Sequence, residues 1–212
     1  IMEKMDISDQ NLCDNKAVVD FHTLLTQTTI FWVIQKYQFI HDLNEIRFCA
    51  FDELEIVGER NTEPIFVFAH IKLPHDPFTL GPNGETITPE KIDFGIGSDG
   101  NKIGYLNQLE YANNRIMELI PKITSNSKSP PIIVIQSDHG SRFDINSIPS
   151  NQENLNQYHK EVLQRSYNSF SAFYFPDNSY DEIYDEMTPV NTFRIIFNKF
   201  FNTELEILED KM

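Results

Sequence analysis

Two short apolar runs restrict this chain more than any other feature. Ile65-Phe66-Val67-Phe68-Ala69-His70-Ile71 and Ile132-Ile133-Val134-Ile135 are continuous stretches of mainly β-branched and aromatic residues, without the polar alternation of a strand that has one wet face. Strands of this kind are buried on both sides, which calls for helices over both faces of a sheet. Between the runs, residues 102–123 place Ile103, Leu106, Leu109, Ala112, Ile116, Leu119, Ile120 and Ile123 on one stripe. That stretch stops at Ser125-Asn126-Ser127-Lys128-Ser129-Pro130-Pro131, where two prolines cannot continue a helix. Strand, loop, helix, strand is a βαβ-type unit, and the expected fold class is α/β.

The remaining segments fit the same class. Residues 16–41 carry apolar residues at three- and four-residue steps and read as one long or two short helices. An acidic connection containing Gly58 follows. Leu73 to Gly84 is rich in Pro and Gly and reads as a loop leaving the first run, and residues 141–159 read as a long polar loop. Phe170 to Phe175 reads as a third strand closed by Pro176, and Thr188-Pro189 opens a last amphipathic helix. The expected organisation is a helical N-terminal segment over 1–63, a sheet-containing region over 64–205 and an acidic tail over 206–212.

A chain of 212 residues that is 40% hydrophobic can bury an ordinary core. Its net charge of −15 and the lack of any Lys/Arg cluster exclude nucleic acid as an expected partner. The acidic runs 181–186 and 204–210 read as solvated surface. Cys13 and Cys49 do not have zinc-knuckle spacing and are either one disulfide or two free thiols. No run approaches the ~20 apolar residues that cross a bilayer, and no signal peptide is expected in the first residues.

Candidate chemistry gathers where the apolar runs end. Asp138 and His139 follow the second run directly, and Gly140 lets the chain turn there. In open α/β sheets that edge binds ligands. A carboxylate beside an imidazole suits zinc, manganese or magnesium, and binding requires neutral His139, so affinity falls with acid. The alternative is that Asp138 caps a turn and His139 hydrogen-bonds within the loop. His75, held between Pro74 and Pro77, can meet an anionic ester or move a proton. His70 lies inside the first run and reads either as a core histidine or as a second substrate contact. Arg142, just past Gly140, can neutralise a substrate oxygen or be an exposed loop residue. The geometry expected from two neighbouring strands is one pocket that receives His75 from one and Asp138 with His139 from the other.

Phe68-Ala69-His70 with Leu73-Pro74-His75-Asp76-Pro77-Phe78, Tyr105-x-x-Gln108-Leu109-x-Tyr111, and Pro131-Ile132-Ile133-Val134-Ile135-Gln136-Ser137-Asp138-His139-Gly140 together resemble the C-terminal half of the sulfatase-like family within the alkaline phosphatase superfamily. Thr188-Pro189-Val190-Asn191-Thr192-Phe193-Arg194 resembles the closing helix of its membrane-anchored members, and lipoteichoic acid synthases and phosphoethanolamine transferases are more distant relatives of the pattern. The resemblance covers about residues 30–205. It implies the C-terminal portion of a three-layer α/β/α alkaline-phosphatase-like sheet. It also implies metal ligation by Asp138 and His139, with Mn, Zn, Mg or Ca as the ion, and contact between His75 and a sulfate or phosphate ester. Catalysis in the family runs through a covalent intermediate on Thr, Ser or formylglycine. The family's nucleophile and first metal ligand lie on an N-terminal half that has no counterpart in these residues, so weak or no metal binding and no independent activity are expected of this chain. The resemblance further implies a membrane-anchored parent with an extracytoplasmic catalytic domain. A second function class is a non-catalytic α/β module that keeps the fold and binds a partner without turnover.

Overall fold

The structure is a computed structural model that describes residues 12–13, 31–60, 63–92, 102–143, 145, 148 and 155–210, with the backbone alone at 31–35. They fall into two compact units, Ile1–Ser129 and Pro130–Met212.

In the first unit, helix α1 spans Phe31–Arg60 and helix α2 spans Lys102–Asn126. The acidic stretch before residue 60, expected as a connection, is therefore helix. Its buried stripe is Ile40, Asn44, Arg47 and Phe51, at steps of four, three and four. Half of that stripe is polar, so the apolar period fades while the helix continues. Phe51 meets Tyr111 of α2 edge-on at 6.4 Å, and Phe48 meets the same ring at 6.2 Å. Leu80 and Leu119 complete this core. Acidic residues on α1 face bases on α2: Asp52 and Glu55 lie 3.2 and 3.5 Å from Arg115, and Glu55 lies 2.8 Å from Lys122. Cys49 is joined to Cys13 by a disulfide, which resolves the open question of their pairing. The helices expected before residue 31 lie outside the described residues.

Helix α2 carries its expected boundaries to within a turn, but its buried face is rotated from the stripe read in the sequence. Gly104, Gln108, Tyr111, Ala112 and Leu119 are buried, while Ile103 and Leu106 are exposed. The cause is Gln108, whose amide is buried to serve a loop backbone described below. A tight turn packs against Tyr111, closed by an isolated bridge between Leu80 and Thr86. Gly84 takes a φ of +83° there, and a Cβ would stand 2.6 Å from the Tyr111 ring, so the position needs glycine on both counts.

Residues 64–70 form no strand, and the side chains from Glu63 to His70 are exposed, Phe66 to 76% and Phe68 to 61%. The strand expected at this run is not formed. β-branched and aromatic composition favours an extended chain, but a strand exists only when a ladder partner takes up its backbone groups.

The second unit contains the sheet. Strand β1 (Ile133–Gln136) pairs antiparallel with β2 (Ser171–Tyr174), Ile133 opposite Tyr174 and Gln136 opposite Ser171. Both strands fall where the apolar runs put them. The described residues hold this two-stranded sheet and no three-layer sheet. Helix α3 (Gln157–Tyr167) lies between the strands in sequence, so the loop expected to reach residue 159 ends sooner, at Asn156, whose side chain caps the helix by accepting from the backbone N–H of His159 at 2.9 Å. Helix α4 (Pro189–Phe201) starts at the expected Thr188-Pro189 signal. Val162, Phe175, Ile195 and Ile196 are buried, and Phe175 stacks on Tyr180 at 5.2 Å.

The acidic tail expected from residue 206 is tied down as far as Asp210. Asn198 donates to the carbonyl of Leu205 and accepts from its N–H, and Asn191, two turns earlier on α4, does the same for Leu208. Arg194, between them, donates to the carbonyl of Glu206. Asp210 ends this strap at the N-terminus of α4, accepting from the N–H and hydroxyl of Thr188, from Tyr184 and from Asn191. The Thr188 and Tyr184 hydroxyls, with the Thr188 N–H, hold its carboxyl down at about 2. An unfolded aspartate titrates near ~3.9. Asp210 therefore contributes stability above that value and loses it as pH falls through about 2. Asp210→Asn is expected to destabilise the second unit at pH 7 and to match the wild type near pH 2, as measured by urea unfolding at both values.

Candidate functional site

The end of β1 is fixed from three directions. Gln136 donates to Ser171 of β2 at 3.1 Å and to the buried Thr192 of α4 at 3.0 Å. Ser137 exchanges two bonds with Phe170, its N–H donating to the Phe170 carbonyl and its hydroxyl accepting from the Phe170 N–H. Gly140 then donates its N–H to the carbonyl of Ser166 at the end of α3. A Cβ on Gly140 would stand 2.0 Å from the carbonyl oxygen of Arg165 and 2.6 Å from that of Asn168, both backbone atoms that cannot swing aside. Gly140→Ala is expected to cost about 2 to 3 kcal/mol through backbone displacement, read from urea unfolding of the second unit.

Between these anchors the turn presents Asp138 and His139. One carboxylate oxygen of Asp138, Oδ1, accepts from the His139 N–H at 3.0 Å, which is the turn-capping contact open as an alternative in the sequence. The ring Nδ1 of His139 lies 2.7 Å from the carbonyl of Gly140. A carbonyl only accepts, so Nδ1 carries the proton and Nε2 of the neutral ring keeps its lone pair. Nε2 and the remaining carboxylate oxygen, Oδ2, are 3.7 Å apart. An ion at about 2.1 Å from each would see them at an angle near 120°, open but within reach of tetrahedral and trigonal ligand sets. The local hydrogen bonds and the ligand role are compatible, because backbone bonding to Nδ1 is how a metal-binding imidazole is oriented. The pair fits part of a ligand set. Among the described residues no group of three His, Cys, Asp or Glu side chains is assembled.

In the first unit, His75 sits on an exposed loop with its Nδ1 2.6 Å from the carbonyl of Asp76, so that its Nε2 is also the unengaged nitrogen. The loop backbone is gripped by two buried side chains. Gln108 accepts from the His75 N–H at 3.2 Å, and Arg47 donates to the His75 carbonyl at 3.2 Å. His70 is exposed, which removes the core-histidine reading, and makes no polar contact with a described residue. Arg142 is exposed beyond Gly140 and forms no ion pair with a described residue. The structure thus brings Asp138 and His139 together and places His75 and His70 in the other unit.

Sequence reasoning missed Gln136, Ser166 and Thr192, which hold the turn, and Arg47, which holds the His75 loop. Gln108 lies off the apolar stripe of its helix and carried no signal of its own either. No protein family, curated protein or solved structure matches the chain.

Proposed function

We propose that these residues belong to a metal-dependent hydrolase or transferase of sulfate or phosphate esters that works through a covalent intermediate. The observation that carries this reading is the paired presentation of Asp138 Oδ2 and His139 Nε2, 3.7 Å apart, on a turn anchored on both sides. Asp138 and His139 would hold a divalent ion, Mn, Zn, Mg or Ca, which when bound supplies Lewis acidity at an ester oxygen. His75 meets the anionic group of the ester through Nε2, and His70 and Arg142 are further substrate contacts. The resemblance assigns the nucleophile to a segment preceding these residues, and the three-layer sheet to the protein as a whole.

An extracytoplasmic setting is part of the proposal. The Cys13–Cys49 disulfide supports it, because such bonds persist in oxidising compartments. No helix among the described residues is long and apolar enough to cross a membrane, so anchoring would use another segment. The test is turnover of a sulfate or phosphate ester by the protein carrying the nucleophile. Asp138→Ala and His139→Ala are expected to abolish it, and His75→Ala to lower turnover more than metal affinity. Unchanged turnover in the first two variants refutes the assignment.

The non-catalytic reading is favoured by a separate observation, the exposed apolar side chains of residues 65–68, which suit a partner's surface. Retained partner binding with no turnover in the complete protein would decide for it.

A further inference from the structure

The first unit holds a buried cation for which the described residues supply no counter-charge. Arg47 is 3% exposed. Its Nη1 donates to Thr79 Oγ1 at 2.6 Å and lies 3.5 Å from Asn44 Oδ1, its Nη2 donates to the His75 carbonyl, and its Nε has no acceptor. Every one of those acceptors is neutral, and no ion pair joins Arg47 to a described carboxylate. Burial pushes its pKa down to about 10, so the guanidinium remains charged at neutral pH. A charge withdrawn from water without a partner is costly, and proteins that keep one usually pair it.

We propose that Arg47 is a fixed, buried positive charge whose field favours a ligand, a tetrahedral sulfate or phosphate group, on the His75 loop. The inference rests on the reading of His75 as the anion contact and deepens it by naming what supplies the charge. The bond from Nη2 to the His75 carbonyl sets that charge directly behind the loop. Gln108, fully buried, grips the loop through the His75 N–H and the Pro77 carbonyl, so the loop cannot retreat from the cation. The exposed imidazole then offers Nε2 outward. Asp76, whose carboxylate lies 3.2 Å from His75 Nδ1, repels an anion, and Arg47 offsets that repulsion. Arg47 touches no ligand in this account; it is a positioning residue that also supplies field.

The experiment is a titration of the 212-residue chain with sodium sulfate and with sodium phosphate, chloride holding ionic strength constant, read by NMR at the His75 ring. The wild type responds saturably to both anions and not to chloride. Arg47→Met, which keeps volume and loses charge, binds about tenfold more weakly, the size expected for one charge several ångströms away in protein surroundings. Arg47→Lys, which keeps the charge and loses the fork, stays closer to the wild type. Gln108→Glu keeps the acceptor for the His75 N–H, loses the donor to the Pro77 carbonyl and adds a negative charge that the described residues do not supply, and it too weakens binding about tenfold. If Arg47→Met does not fold, Gln108→Glu decides alone. Wild-type affinity in a folded Arg47→Met or Gln108→Glu variant overturns the role of Arg47 and leaves His75 as the anion contact. No saturable response in the wild type overturns both, while metal binding at Asp138 and His139, measured on the same sample, stands or falls separately.

Discussion

Asp138→Ala abolishes saturable binding of manganese or zinc by this chain, and His139→Ala does the same, with a change in unfolding free energy of no more than about 0.5 kcal/mol. The expectation follows from how little the fold asks of these side chains. The Asp138 side chain is 80% exposed, and its one hydrogen bond among the described residues is to the neighbouring N–H. Among the described residues the His139 ring bonds only the carbonyl of the next residue. The anchors of the turn are backbone groups of Ser137 and Gly140 and the side chains of Gln136 and Ser137, which both variants leave in place. With two protein ligands the wild-type affinity is expected to be weak, with a dissociation constant on the order of 1 mM, as for the weakest oxygen-ligand sites. Isothermal calorimetry with each metal, paired with urea unfolding of each variant, checks both halves of the expectation. Loss of binding together with loss of the fold would assign the two residues to structure.

Opening the Cys13–Cys49 disulfide is expected to lower the stability of the first unit by roughly 4 kcal/mol, the chain-entropy value for a closed loop of this length. The bonded residues are 36 positions apart, and Cys49 lies on α1 beside Phe48 and Phe51, so the bridge fastens Cys13 to the helix that builds the core. Cys13→Ser with Cys49→Ser, compared with the oxidised protein in urea, measures the loss. A difference below about 1 kcal/mol would mean that the reduced chain already holds these residues close together.

Helix α2, the two paired strands and the start of α4 were legible because each rests on local signals: a 3.6-residue apolar period, short β-branched runs, and Thr-Pro at a helix start. The turn at Ser137–Gly140 was legible for the same reason, a strand ending at a glycine. What failed depended on tertiary context. The run 65–71 has the composition of a strand, but no described residue supplies a ladder partner for it, and composition carries no record of a partner. The second half of α1 was hidden because Asn44 and Arg47 occupy its buried stripe, and polar residues there erase the apolar period. Arg47 itself reads as a surface residue in any sequence. Gln108 and Asn191 share that property, since their burial is justified by backbone groups distant in sequence, at His75 and Leu208.

The central claim is that the turn after β1 presents a carboxylate oxygen and an imidazole Nε2 as two ligands of one ion. Long-range proton–nitrogen NMR of His139 during titration with zinc tests it most directly. The account predicts a proton on Nδ1, a saturable shift confined to Nε2, and loss of that shift in Asp138→Ala. A shift at Nδ1, a shift that survives Asp138→Ala, or no saturable shift at all would contradict it.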